Sequence, residues 1–335
     1  MPGMKKMLVA VAIIALAFTA CSGPEAKKAK FLEKGKALYE QGEYVKARLE
    51  FKNAVQIDPK FVEAHYMLAM VALQTNDLRG AFSQFSKVVE LDPGHKEAHV
   101  ELGKIYLAAQ AVDKATEEAD LVLKADPNYP GALILRAAIM IAKKQDEAAI
   151  SHLNELLQKG AKDKDVFLLL AGVYIRKGEL TEAEATLKKG IEANPRSIIL
   201  YSTLGDLYVK GKKTEEALAI GNKVVEIEPD QPRHKLTLAN LYWESGREEK
   251  AREVLKALLS ADSRNEDNWV RVARFYVSKK HTDEADAILK EGMKKIPEGF
   301  AVRFALSSLY LSKGRSDDAI ALLKETIALK KNEKD

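Results

Sequence analysis

The chain has 335 residues, 30% of them charged and 47% hydrophobic, with a net charge of +4. Its 53 basic and 49 acidic side chains lack the basic excess of a nucleic-acid interface, so no nucleic-acid partner is expected. The single cysteine, Cys21, excludes an internal disulfide framework and a cysteine-based zinc site.

Residues 1–20 read as a secretory signal peptide. Lys5 and Lys6 form its positive start, and Leu8 to Phe18 is an unbroken apolar run. That run is shorter than the roughly 20 apolar residues a bilayer span needs. It closes on Phe18-Thr19-Ala20-Cys21, which resembles the bacterial lipobox, where the cysteine is lipidated and becomes the mature N-terminus. The resemblance implies a lipid on Cys21 and a place in the bacterial cell envelope, facing the periplasm. Ser22 after the cysteine points to the outer membrane by the enteric sorting habit. The other reading is an ordinary signal peptide whose cleavage leaves a cysteine. Residues 21–27 are then a short tether, with two or more acyl chains supplying stable anchoring.

From Lys28 a unit of 34 residues recurs without insertion, beginning at 28, 62, 96, 130, 164, 198, 232, 266 and 300. Position eight of the unit is always small, as in Gly35, Ala69 and Gly103, and position twenty is alanine from Ala47 to Ala319. Position eleven is tyrosine in six units, among them Tyr106, Tyr208 and Tyr276. A closing proline, Pro59 in the first unit, is replaced by Ala161 in unit four and Ser263 in unit seven. Each unit predicts two helices, A and B, broken near Gly42 and stopped by Asp58-Pro59 in the first copy. Small residues at positions eight and twenty mark close helix crossings. A unit this short cannot bury its apolar face alone and must stack on the next.

The strings Leu204-Gly205-Tyr208-Ala217-Pro229 and Leu102-Gly103-Tyr106-Ala115-Pro127 resemble the tetratricopeptide repeat family, and the likeness runs from Lys28 to about Lys331. It implies an all-α fold, a right-handed α-solenoid of nine helix-turn-helix repeats over residues 28–335. Unit four departs most, with Arg136 where leucine belongs. The final unit predicts either a self-covering helix with Lys324, Glu325 and Lys330 outward, or a covering partner, a second copy forming a homodimer through this end being one.

Catalytic signatures are missing: the sequence holds no glycine-rich phosphate loop, no HExxH and no GxSxG. The chain is therefore read as a non-enzyme with no cofactor and no metal. His95 and His99 are four apart, but His95 falls in a loop and His99 shares position four with His65, so packing is preferred over metal. The resemblance implies a concave groove lined by the A helices that holds a protein partner. Its position five includes Tyr66, Val100, Ile134 and Leu168, and its position twelve Leu107, Ile141, Ile175 and Trp243. Position nine supplies Lys104, Ala138, Asp206, Asn240 and Arg274. The apolar members are either partly buried between A helices or an open strip with a smooth centre in units three to five. The family's carboxylate clamp is not expected, because Lys36, Met70, Val100 and Lys104 lack the asparagine pair. The function expected is a lipid-anchored periplasmic scaffold for envelope secretion, assembly or exopolysaccharide export, resembling the lipoproteins of exosortase systems. The alternatives are direct polysaccharide binding near Trp243, and an adaptor of an envelope hydrolase.

Overall fold

The computed structural model describes residues 23–332, with side chains through Leu329. Cys21, the expected signal peptide and the lipidation site lie outside the described residues. Every described element is an α-helix, and no strand occurs among the described residues. Unit one pairs α1 (Pro24–Glu40) with α2 (Tyr44–Ile57), and unit two α3 (Val62–Gln74) with α4 (Leu78–Leu91). Unit three pairs α5 (Lys96–Ala108) with α6 (Val112–Ala125), and unit four α7 (Pro130–Ala142) with α8 (Asp146–Gln158). Then follow α9 (Lys164–Lys177) with α10 (Leu180–Ala193), α11 (Ile198–Lys210) with α12 (Thr214–Ile227), and α13 (Pro232–Glu244) with α14 (Glu248–Ala261). Units eight and nine are α15 (Glu266–Ser278) with α16 (Thr282–Lys295), and α17 (Phe300–Ser312) with α18 (Ser316–Asn332). The first helix opens at Pro24, within the stretch expected to be tether. Proline at the first helical position is pre-set for helix and has no N–H to leave unsatisfied.

Contacts divide the chain into two compact units, residues 1–161 and 162–335. The first contains repeats one to four and the second repeats five to nine. Within each, a B helix packs on its own A helix and on the A helix of the next repeat. The division falls at Ala161, where the closing proline is missing and α8 ends instead on Gly160 at φ +87°.

Both turns of the repeat are built from backbone chemistry. Position fifteen sits in the left-handed region in all nine repeats, as Gly42, Asn76, Gln110, Lys144, Gly178, Lys212, Gly246, Lys280 and Gly314. There it reverses the chain from A to B. At the other end Asp58, Asp92, Asp126 and Asp262 each accept the N–H two residues on, at 3.0–3.2 Å. This aspartate turn explains why repeat seven closes normally with Ser263 in place of proline.

The core follows the expected small positions. All nine position-twenty alanines are 0–2% exposed, which fixes the register. A Cβ added at Gly35 would lie 2.4 Å from the Phe51 ring, and one at Gly103 the same distance from Leu135. In repeat four Leu135, one residue before the misfit Arg136, fills the core at 1% exposure. Arg136 turns to Asp120 at 3.0 Å. At the last helix Lys324 and Glu325 are exposed as expected, but so are Ile320 and Ile327, at 49% and 58%.

In five of the nine repeats position four staples the repeat to the turn before it. Its side chain donates to the carbonyl six residues back: His65 to Pro59 at 3.1 Å, His99 to Pro93 at 3.0 Å, and Tyr201 to Pro195 at 3.4 Å. Trp269 donates to Ser263 at 2.9 Å and Arg303 to Pro297 at 2.8 Å. Each bond satisfies a turn carbonyl that helix geometry leaves free.

Candidate binding surface

The A-helix faces of the two compact units differ in what they expose. In the first, Val100 and Ile134 are 4% and 8% exposed and are no part of an open wall. The cause is the close approach of neighbouring A helices: α5 packs on α7, and the methyls of Val100 lie 3.5 Å from where a Cβ of Gly131 would stand. Leu107, Ala138 and Ile141 are half-buried. Of the smooth apolar centre expected over repeats three to five, the part in repeats three and four is thus mostly filled by the protein itself.

What this first face offers instead is acid and aromatic surface. Tyr66 stacks on His95, ring centroids 5.0 Å apart and 23° from parallel, and meets Phe85 edge-on. Burial pushes the Tyr66 phenol up to about 12, aided by Glu101, Glu97 and Glu63. Tyr129 is likewise raised to about 12 by burial and by its 2.9 Å bond to Glu97. Lys104 is tied to Glu101 at 2.7 Å.

The histidines do structural work. His99 is 8% exposed, with Nδ1 2.6 Å from Glu118 and Nε2 3.0 Å from the Pro93 carbonyl. Both partners accept, so both ring nitrogens carry protons. The Glu118 carboxylate raises the pKa of His99 above the usual histidine value, against an opposing effect of burial. His95 caps α5 through Ala98 N–H at 3.3 Å. Among the described residues no group of three or more His, Cys, Asp or Glu is placed to hold a metal ion.

In the second compact unit, Leu168 and Ile175 are half-buried, and Gly172 between them is exposed. From repeat six onward individual lining positions open, although Val270 at position five of repeat eight stays at 7% exposure. Val209, Val277 and Leu311, all at position twelve, are 51%, 43% and 54% exposed, and Phe304 at position five is 53% exposed. Beside them run Asp206, Asn240 and Arg274, exposed and without a hydrogen bond or ion pair among the described residues. All four apolar residues fall at the lining positions five and twelve that the sequence marks, but the helical pattern does not say how closely the next helix covers each one.

Trp243 is not an open platform. Phe275, Tyr276 and His281 meet its ring edge-on at 5.5, 6.1 and 4.9 Å. The Arg252 guanidinium lies 5.3 Å above it. Glu244, next to Trp243 in sequence, pairs with Lys279. Arg252 and His281 lie outside the A helices, which is why a groove-based reading passed over them.

Family models described as tetratricopeptide repeat match residues 72–139, 140–207, 208–273 and 303–335, and one described as TPR repeat matches residues 35–76. No curated protein matches the chain. Among solved structures, a tetratricopeptide repeat protein from Parabacteroides merdae is 18% identical, covering 75% of this chain and 99% of its own, with a TM-score of 0.47. Human IFIT1, as a dimer with m7Gppp-AAAA, is 18% identical over 88% of this chain and 80% of its own, with a TM-score of 0.46. The P58(IPK) TPR domain is 21% identical over 90% of this chain and 92% of its own, with a TM-score of 0.31.

Proposed function

The chain belongs to the tetratricopeptide repeat family, whose members generally serve as protein–protein interaction scaffolds, and from that premise we propose a non-enzymatic scaffold, lipid-anchored through Cys21 at a bacterial envelope membrane and facing the periplasm. The observation that carries the binding part is the exposed set Val209, Val277, Phe304 and Leu311 beside the unpaired Asp206, Asn240 and Arg274. Apolar side chains held open to water next to uncommitted polar groups match the anchors and rim of a protein interface. Support for the anchor comes from sequence: the Lys5-Lys6 start, the apolar run and a lone cysteine at its end. No described helix is long and apolar enough to cross a membrane, so membrane attachment in this reading rests on the lipid.

The system served is an envelope secretion, assembly or exopolysaccharide apparatus. Direct polysaccharide binding draws less support, since a sugar ring stacking on Trp243 would compete with Arg252. The test is affinity isolation of the tagged chain from detergent-solubilised envelopes, beside a Val277→Glu, Leu311→Glu variant. Partners captured by the parent and lost in the variant are the expected result. Equal capture by both would move the site off the A helices, and an envelope hydrolase among the partners would select the adaptor role.

A further inference from the structure

Between repeats six and seven lies a cleft of about 340 Å³, walled by Tyr208, Val209, Leu218 and Leu241, with Lys212 and Glu244 at its rim. Its floor is firm, since Tyr208 and Leu218 are 4% and 3% exposed. The repeat provides an internal comparison for this place. One repeat later, Val209 becomes Trp243, Leu218 becomes Arg252 and Leu241 becomes Phe275. There the indole of Trp243 lies edge-on to Phe275 at 5.5 Å and beneath Arg252 at 5.3 Å. The molecule thus fills with its own indole, at the junction of repeats seven and eight, the position it leaves open at the junction before. Val209 is too short to reach across.

We propose that this cleft is a binding site for a planar aromatic side chain, an indole above all, presented by a protein partner. The proposal rests on the scaffold reading and names the anchor that reading requires. Aromatic anchors seated in apolar pockets contribute a large share of interface energy. An indole carries one N–H, and the Glu244 carboxylate at the rim has acceptor sites beyond the one it gives to Lys279. Leu218, where the next repeat has Arg252, leaves the ring face clear for an incoming group.

The experiment titrates N-acetyl-tryptophanamide into the full chain carrying labelled Leu and Val methyls. Saturable shifts confined to Val209, Leu218 and Leu241 are expected, with N-acetyl-leucinamide binding about tenfold more weakly. Val209→Trp should fill the cleft from within, weaken the probe at least tenfold and raise the melting temperature by about 2–4 °C. Val209→Glu, at a half-exposed position that does not threaten folding, should also abolish binding. Absent shifts, shifts scattered over both compact units, or binding retained in both variants would overturn the assignment. If the probe fails while Val277→Glu, Leu311→Glu still loses its partners, the cleft falls and the scaffold reading stands. If neither experiment gives its expected result, both readings fall.

Discussion

Position fifteen shows how much one residue per repeat can carry. All nine copies adopt positive φ, yet five of them are Asn, Gln or Lys, which pay steric strain there that glycine avoids. Lys212→Gly, at φ +56°, should therefore stabilise the chain by about 0.5 kcal/mol. Gly246→Ala, at +75° with open space around it, should cost about 1 kcal/mol; thermal melts of the two variants check the opposite signs. His99 carries a pH prediction. Its folded pKa is raised by Glu118, so its contribution is complete below the ordinary value near 6.5 and is lost as pH rises through the folded value. His99→Gln should flatten that loss, read as melting temperature against pH. Glu184 behaves oppositely: Lys188, then Lys213, hold it down at about 2. Its contribution stands above the usual glutamate range and disappears as pH falls toward 2.

At the scale of the element, the two helices of a repeat trade volume. Where position four is Phe167 or Trp269, position twenty-seven of the same repeat is Gly190 or Gly292, and a Cβ there would stand 2.9 or 3.0 Å from the ring. Gly292→Ala should cost roughly 1–3 kcal/mol by overpacking, and less in a Trp269→Leu background. A double-mutant cycle on chemical denaturation measures that coupling; additivity would contradict the pairing. Ala183, 0% exposed, makes the same point without an aromatic, and Ala183→Leu should cost roughly 1–3 kcal/mol. These alanine crossings were legible in sequence because a single residue type recurs. The position-four staple was not, since His, Tyr, Trp and Arg all make it, and only their common acceptor, the turn carbonyl, reveals one device.

Across the whole molecule, repeat stability is a sum of each unit and its nearest neighbours. Gly292→Ala should therefore raise amide exchange most in repeats eight and nine and leave repeats one and two nearly unchanged; uniform acceleration would mean all-or-none unfolding. Replacing Cys21 by Ala should move the protein from the membrane fraction to the soluble fraction, and retention would remove the lipid from the proposal. The 34-residue period, with its alanines and Asp-Pro stops, determined by itself the all-α class and the close helix crossings at position twenty. Those are local matters of side-chain size and backbone preference, written in every copy. Tertiary structure alone decided where the A-helix face opens. Leu107 and Val277 both occupy position twelve of an A helix, yet the first is half-buried and the second is open, because exposure depends on how closely neighbouring helices approach. Trp243 closes over its cleft and Val209 leaves the preceding one open because an indole reaches across and a valine does not, but the space itself belongs to two repeats at once, and no single repeat's sequence describes it.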